Sequence, residues 1–300
     1  MTYSSQFSDL LQFIFMGIQR GSIYALVAMG FNIIYNSTGV INFAQGEFVV
    51  LGGLLMVTLT TTLHAPVGLA FFLSTAIVMM VGLIMERFTI NPVKNPSIMR
   101  LIIITIAVSI LLKGIAMCLW GKDSYHMDHF SGETPFTLLG ATILPQTLWI
   151  IGILVVVVLL FILFFNYTMI GKSMRACAIN RDAAKLVGIN DRLAVMYAFA
   201  ISAGIGAVAG IIITPIIQMD YGRGALLGLK GFGAAVVGGL GNSIGAVLAG
   251  LLLGIIEALG GGYISSHYMD AIALLILLIV LFVRPSGIMG NRESSRLKDF

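Results

Sequence analysis

Charge is what this sequence has least of. Asp, Glu, Lys and Arg make up 10% of its 300 residues, against about a quarter in an ordinary soluble protein. With 58% apolar residues and a mean hydropathy of +1.01, that scarcity excludes a soluble domain, which would need nearly every helix apolar on all faces. Cysteine is also scarce. Cys118 and Cys177 lie in different segments and neither has the neighbours of a metal or redox motif, so neither a metal site nor a disulfide framework is expected. Catalytic signatures are missing too: there is no HExxH and no Ser/His/Asp arrangement. "GKS" at 171–173 ends like a phosphate-binding loop, but Asn166 stands where that motif needs Gly. No catalytic residue, nucleotide site or cofactor is expected. A pI of about 9.1 and a net charge of +4 invite a nucleic-acid reading, which the placement of the charges removes.

What the chain does have is apolar runs of about 17–25 residues, the length that crosses about 30 Å of hydrocarbon. They fall at 10–35, 41–62, 66–86, 99–119, 146–166, 194–214, 225–241, 244–260 and 269–284. The expectation is an all-α polytopic membrane protein, a single transmembrane domain over 1–300 with eight to nine crossings, in contact with lipid and with no nucleic-acid partner. Twelve of the 17 Lys and Arg fall in three clusters: Arg87, Lys94 and Arg100; Lys172, Arg175, Arg181, Lys185 and Arg192; Arg284, Arg292, Arg296 and Lys298. The positive-inside rule puts all three in the cytoplasm, including a loop at 167–193 and a tail at 285–300. Loops 58–66 and 120–145 are then outside. No Lys or Arg precedes the first span, so "MTYSSQFSDL" lacks a signal-peptide n-region and is expected outside. With the 167–193 loop and the tail on one side, 225–260 contributes an even number of passes. It is either two short crossings hinged at "GGLGN" or a re-entrant pair, and "GFGAAVVGGLGN" is too rich in glycine for a lipid-facing helix.

Several polar features stand out against this background. "DSYHMDHF" (123–130) sets His126 and His129 beside Asp123 and Asp128, residue types that can hold a metal; the reading preferred over a metal site is a hydrated outer loop that can touch a soluble partner. The pairs Gly17/Gly21, Gly206/Gly210 and Gly250/Gly254 suit close helix packing. Arg20 lies in the middle of its apolar run, where a charge is costly, and Glu47 or Glu257 is its expected partner. Lys113, nearer a helix end, is expected to snorkel outward. The stretch "NSTGVINFAQGEFVVLGG" (36–53) sets Asn42, Gln45, Gly46 and Glu47 between apolar runs. A helix broken there presents the N–H groups and positive dipole end of its second half near mid-membrane. A second break at Gly238, Gly239 and Gly241 is its counterpart in the other half of the chain. Two interrupted segments in corresponding halves point to a substrate pathway; the competing reading is that Asn42 and Gln45 hold neighbouring helices together.

The basic loop "GKSMRACAINRDAAKLVGINDRLAVM" is helix-compatible, with Asp182, Ala183 and Ala184 followed by Gly188, which can supply a left-handed stop. This D-A-A-x3-G pattern resembles the E-A-A-x3-G coupling motif of ABC importer membrane subunits. Asp182 stands where Glu is common, and the motif's Ile-x-Leu-Pro ending is absent. "GIQRGSIYALVAMGFNIIYNSTGVINFAQGEFVVLGG" and "AAVVGGLGNSIGAVLAGLLLGIIEAL" resemble two segments of the high-affinity branched-chain amino-acid permeases, H-type subunit, and more distantly the ribose permeases. The resemblance covers nearly the whole chain, in order.

It implies a type II ABC importer permease fold with two inverted-repeat halves, broken helices and a cytoplasmic coupling helix in a multi-pass inner-membrane protein. It further implies a homologous M-type permease partner, two cytoplasmic ATP-binding subunits and a periplasmic amino-acid-binding protein. Leucine, isoleucine and valine are the implied cargo, with urea or short-chain amides as the alternative. A secondary transporter would need Glu47 or Glu257 for ion coupling, and would leave the coupling loop unexplained.

Overall fold

The computed structural model describes residues 2–93, 97–138, 140–284 and 286–290. Of the basic clusters, Lys94 and the tail residues Arg292, Arg296 and Lys298 lie outside the described residues. Eleven α-helices are described: α1 Thr2–Thr38, α2 Gln45–Val57, α3 Val67–Met85, α4 Ile98–Trp120, α5 Pro145–Tyr167, α6 Met169–Ile179, α7 Arg181–Leu186, α8 Asp191–Ile213, α9 Arg223–Gly238, α10 Ser243–Tyr263 and α11 Met269–Val283. Helices α2 and α3 run on into π-helical turns at Thr58–Thr62 and Glu86–Ile90. Among the described residues, seven helical stretches are long and apolar enough to cross a membrane. The other two expected spans correspond to α2, of 13 residues, and α9, of 16. One feature departs from the all-α expectation. In the 120–145 loop, β1 Phe136–Leu138 pairs antiparallel with β2 Ala141–Ile143, reversed at Gly140 with φ of +88°.

Among the described residues, five α-helix starts are closed by a polar side chain accepting from the first turn, which satisfies N–H groups that have no partner within the helix. Ser97 caps α4, Thr168 caps α6, Asn180 caps α7, Asn190 caps α8 and Asn242 caps α10.

The chain forms two compact units. Of the described residues, one comprises those within 30–127 and 155–228, and the other those within 2–29, 128–154 and 229–290. In the first, α2 is the core, with twelve of its 13 residues buried, and α3, α4 and α8 pack around it. Close approach explains the Gly206/Gly210 pair: a Cβ on Gly206 would lie 3.0 Å from the Cβ of Phe48, and one on Gly210 would strike the carbonyl of Val49. In the second unit α1 meets α10 glycine to glycine. A Cβ on Gly21 would lie 2.7 Å from the Cα of Leu251, and one on Gly250 2.5 Å from the backbone nitrogen of Ala25. Packing, rather than an aqueous hydrophobic effect, holds helices together in lipid, and small residues permit it.

Candidate functional site

The polar stretch 36–53 folds as a helix break. Gly39, at φ +72°, ends α1 with its N–H on the carbonyl of Tyr35 at 2.7 Å, a glycine stop. Six residues, 39–44, then lead to α2. Asn42 builds the turn: its Oδ1 accepts the N–H of Ala44 at 3.1 Å, and its backbone carbonyl accepts that of Gln45 at 3.2 Å. The N–H of Glu47 is also taken, by the carbonyl of Ala44 at 3.0 Å. Some donors that the sequence reading left free at this helix start are therefore already used inside the break.

The side chains here are buried and mostly paired with one another. Gln45 donates through Nε2 to the carbonyl of Ser202 on α8 at 3.2 Å. The Ser202 hydroxyl lies 2.7 Å from Gln45 Oε1 and 2.8 Å from the carbonyl of Gly30, and donates to one at a time. Glu47 accepts from Ser109 Oγ at 3.1 Å. Ser109 is halfway along α4, so the start of α2 sits opposite the middle of that helix. Glycines make the room. A Cβ on Gly224 would fall 2.9 Å from the Glu47 carboxylate, and one on Gly46 would strike the Gly224 carbonyl. Asn42 Nδ2 is buried without a partner, beside a cavity lined by Thr38, Val40, Ile41, Thr105 and Phe199 with room for about one water. Lys113 does not simply extend outward; its Nζ stands 5.7 Å from the centre of the Tyr221 ring.

Arg20 belongs to a different cluster. Of its two expected partners the structure selects Glu257, at 3.5 Å. Helix α1 is 37 residues long, about 55 Å, well beyond the hydrocarbon thickness. Its middle is therefore not fixed at mid-membrane, and the Arg20 side chain is 36% exposed. The nearer cation is one that sequence reasoning missed. Lys230, buried on α9, puts Nζ 2.8 Å from Glu257 and 2.5 Å from Asp270 at the start of α11. The hydroxyl of Tyr24 lies 3.0 and 3.2 Å from the two Glu257 oxygens. Two cations and two carboxylates thus balance across α1, α9, α10 and α11. The available signal was that Lys230 is the one charged residue between 224 and 256.

The second expected break is real as geometry. Helix α9 ends at Gly238, Gly239 and Gly241 have φ of +104° and +94°, and α10 begins at Ser243. Gly238 and Gly239 are buried, and the segment 286–290 closes the joint. Ile288 N–H donates to the carbonyl of Val237 at 2.7 Å, Met289 N–H to that of Gly238 at 3.2 Å, and Asn242 Nδ2 to that of Met289 at 3.0 Å. The three glycines make a chain reversal tied to the C-terminal segment.

The basic loop folds as two short helices. Asn180 ends α6 and caps α7, and Gly188, at φ +86°, stops it. Asp182 and Ala183 are exposed, while Ala184 turns inward with Cys177 and Met174. Burial pushes the Cys177 thiol up, and the neighbouring Asp191 carboxylate adds to the shift. Beside Asp182, Ala183 and Gly188 the outward surface carries large apolar side chains that the sequence reading did not name: Ile179 is 87%, Leu186 89% and Val187 76% exposed. Among the described residues no group of three His, Cys, Asp or Glu is placed to hold a metal, "DSYHMDHF" included.

These features find relatives. The chain is 33% identical to the "High-affinity branched-chain amino acid transport system permease protein LivH" of Escherichia coli (strain K12), over 98% of this chain and all of that one. It is 32% identical to the protein of the same description, BraD, of Pseudomonas aeruginosa, over 96% and 98% of the two chains. A solved chain of PsaBC from Streptococcus pneumoniae in complex with Fab aligns over 93% of this chain and 91% of that one, at 14% identity and a TM-score of 0.44, too low for comparison in detail. Residues 13–281 match the family model described as branched-chain amino acid transport system / permease component. With its long apolar helices, the chain is a multi-pass inner-membrane protein that belongs to this family of permease components.

Proposed function

We propose that the chain is the membrane-spanning subunit of an ATP-driven importer for leucine, isoleucine and valine. The observation that carries this is the α6–α7 pair. Ile179, Leu186 and Val187 are apolar and exposed on a basic loop outside the seven long apolar helices found among the described residues. Large apolar side chains exposed on a charged loop are what a protein partner covers. That partner is an ATP-binding subunit, one of two on the cytoplasmic face, docked on Asp182, Ala183, Leu186, Val187 and Gly188. Ala184 supports this surface from below. A homologous M-type permease subunit completes the membrane part, and a secreted amino-acid-binding protein delivers the cargo.

The cargo is zwitterionic with an apolar side chain, so it needs polar groups in a low-dielectric path. Asn42, Gln45, Gly46 and Glu47 are the pathway residues at the α1–α2 break; Arg20, in its own cluster with Glu257, and the chain reversal at Gly238, Gly239 and Gly241 are the pathway residues of the other half. In the present state Gln45 is held by Ser202 and Glu47 by Ser109, so cargo would exchange with bonds already made.

Uptake of labelled leucine by the reconstituted transporter, with and without ATP and binding protein, is the test. Uptake is expected to need both, and Leu186→Asp or Val187→Asp is expected to abolish co-purification of the ATP-binding subunits. ATP-independent uptake, or full assembly of both variants, would overturn the reading. Urea or short amides outcompeting leucine would change the cargo alone.

A further inference from the structure

A side chain of the basic loop reaches the α1–α2 break. The last carbonyls of a helix have no donor within it. At the end of α1, Tyr35 receives the Gly39 N–H at 2.7 Å and Ile34 the Thr38 hydroxyl at 2.8 Å. The Ser37 carbonyl has its donor from elsewhere: the guanidinium of Arg181, first residue of α7, binds it. A cation at a helix C-terminus also meets the negative end of the helix dipole. A charge-assisted bond of this kind is among the stronger hydrogen bonds.

Both ends of this link are firmly set. Helix α7 is capped by Asn180, whose Oδ1 accepts from Ala183 at 3.0 Å, and Ile189 N–H closes on the carbonyl of Ala184 at 3.0 Å. Ser37 is buried, with its hydroxyl on the carbonyl of Ile33 at 3.1 Å. Beyond it the break is less fully tied. Thr38, Val40, Ile41 and Asn42 border the one-water cavity, and Asn42 Nδ2 has no partner there. A push on α7 either carries the end of α1 with it or pulls Arg181 off the Ser37 carbonyl. The adjacent segment 39–44 has space to answer, and it leads directly to Gln45 and Glu47.

We propose that Arg181 is the positioning residue that transmits movement of the α6–α7 pair into the α1–α2 break. The inference rests on the docking role of that pair. It names a coupling element separate from the docking surface: Arg181 holds the permease's own helix, and Leu186 and Val187 face the partner.

The test uses the complete transporter in proteoliposomes and reads ATP hydrolysed per leucine imported. Losing one charge-assisted hydrogen bond corresponds to about a tenfold change. Arg181→Met is therefore expected to keep its ATP-binding subunits and their hydrolysis while that ratio rises about tenfold. Arg181→Lys, which keeps a cationic donor, should restore most of the coupling. A second readout follows the break itself. In a chain without Cys118 and Cys177, maleimide labelling of Phe43→Cys should change on adding ATP, and that response should vanish with Arg181→Met. An unchanged ratio with an intact ATP response overturns the proposal. Should Arg181→Met fail to assemble, Arg181→Gln and Arg181→Lys decide: a preserved response in the Gln variant sinks the link, and one preserved only in Lys supports it. Normal coupling in Arg181→Met alongside lost assembly in Leu186→Asp removes the link and leaves the docking role. Full assembly of Leu186→Asp and Val187→Asp removes the docking role itself.

Discussion

Replacing Lys230 by Met should damage this protein far more than replacing Arg20 by Met. Both cations face Glu257, which is 1% exposed. Lys230 stands 2.8 Å from it with a side chain 7% exposed, whereas Arg20 stands 3.5 Å away and is 36% exposed. Removing the closer, buried cation leaves a buried carboxylate with the Tyr24 hydroxyl as its remaining short contact. Breaking a buried pair from one side costs about 3–5 kcal/mol. Losing the longer pair still leaves Glu257 with Lys230 at 2.8 Å, so it costs well below that. Asp270, the other partner of Lys230, has a side chain 57% exposed and is left unpaired at little cost. Glu257→Gln combined with Lys230→Met removes both charges and should recover most of the loss.

Heating the detergent-solubilised chain in steps and scoring the monodisperse fraction by size exclusion gives the comparison. The expected midpoint drop is about 6–15 °C for Lys230→Met, a few degrees for Arg20→Met, and an intermediate value for the double variant. The reasoning is refuted if Arg20→Met costs as much as Lys230→Met, or if the double variant is no better than Lys230→Met alone.

Two further outcomes follow from the packing. Gly21→Val should lower the same midpoint, by the equivalent of about 1–3 kcal/mol, because its Cβ would meet the Leu251 backbone. Gly114→Ala, with nothing within 4 Å of the new Cβ, should be neutral or slightly stabilising, and equal losses in both would argue against glycine-mediated packing. Cys177 is buried and its thiol is raised, so the folded chain keeps the proton where an unfolded chain would release it. Its maleimide labelling should stay slow as pH rises through about 8.5 and become fast on unfolding. Stability contributed by this group is unchanged below the ordinary thiol range and falls as pH climbs through it; rapid labelling of the folded chain at neutral pH would contradict the burial.

The helices were legible because membrane spans announce themselves by length and apolarity, and the α1–α2 break because Asn42, Gln45 and Glu47 interrupt such a run. Partner choice was not. Glu47 and Glu257 were equal candidates for Arg20, and only packing decides that Ser109 faces one while Lys230 and Tyr24 face the other. Lys230 was overlooked although it is a lone charge in a long glycine- and alanine-rich stretch, the situation in which an intramembrane charge calls for a named partner. The motif around Asp182 gave the position of α7 but not its orientation: a six-residue helix can turn any face outward, and the burial of Ala184 beside Cys177 leaves Leu186 and Val187 on the surface.

The two breaks looked alike in sequence and differ in physical character. At 39–44 the one polar side chain, Asn42, is buried and its amide nitrogen lacks a partner, so the segment has alternatives open to it. At 238–242 the segment 286–290 has folded back and holds the carbonyls of Val237 and Gly238, which no local pattern could reveal. A break with a free donor and a cavity can rearrange at low cost, while one whose neighbouring carbonyls are held from outside moves only together with what holds it. Movement driven from the basic loop would therefore be taken up first at 39–44. There the bond from Arg181 to the Ser37 carbonyl ties α7 to the end of α1, and Gln45 and Glu47 are the next side chains to feel it.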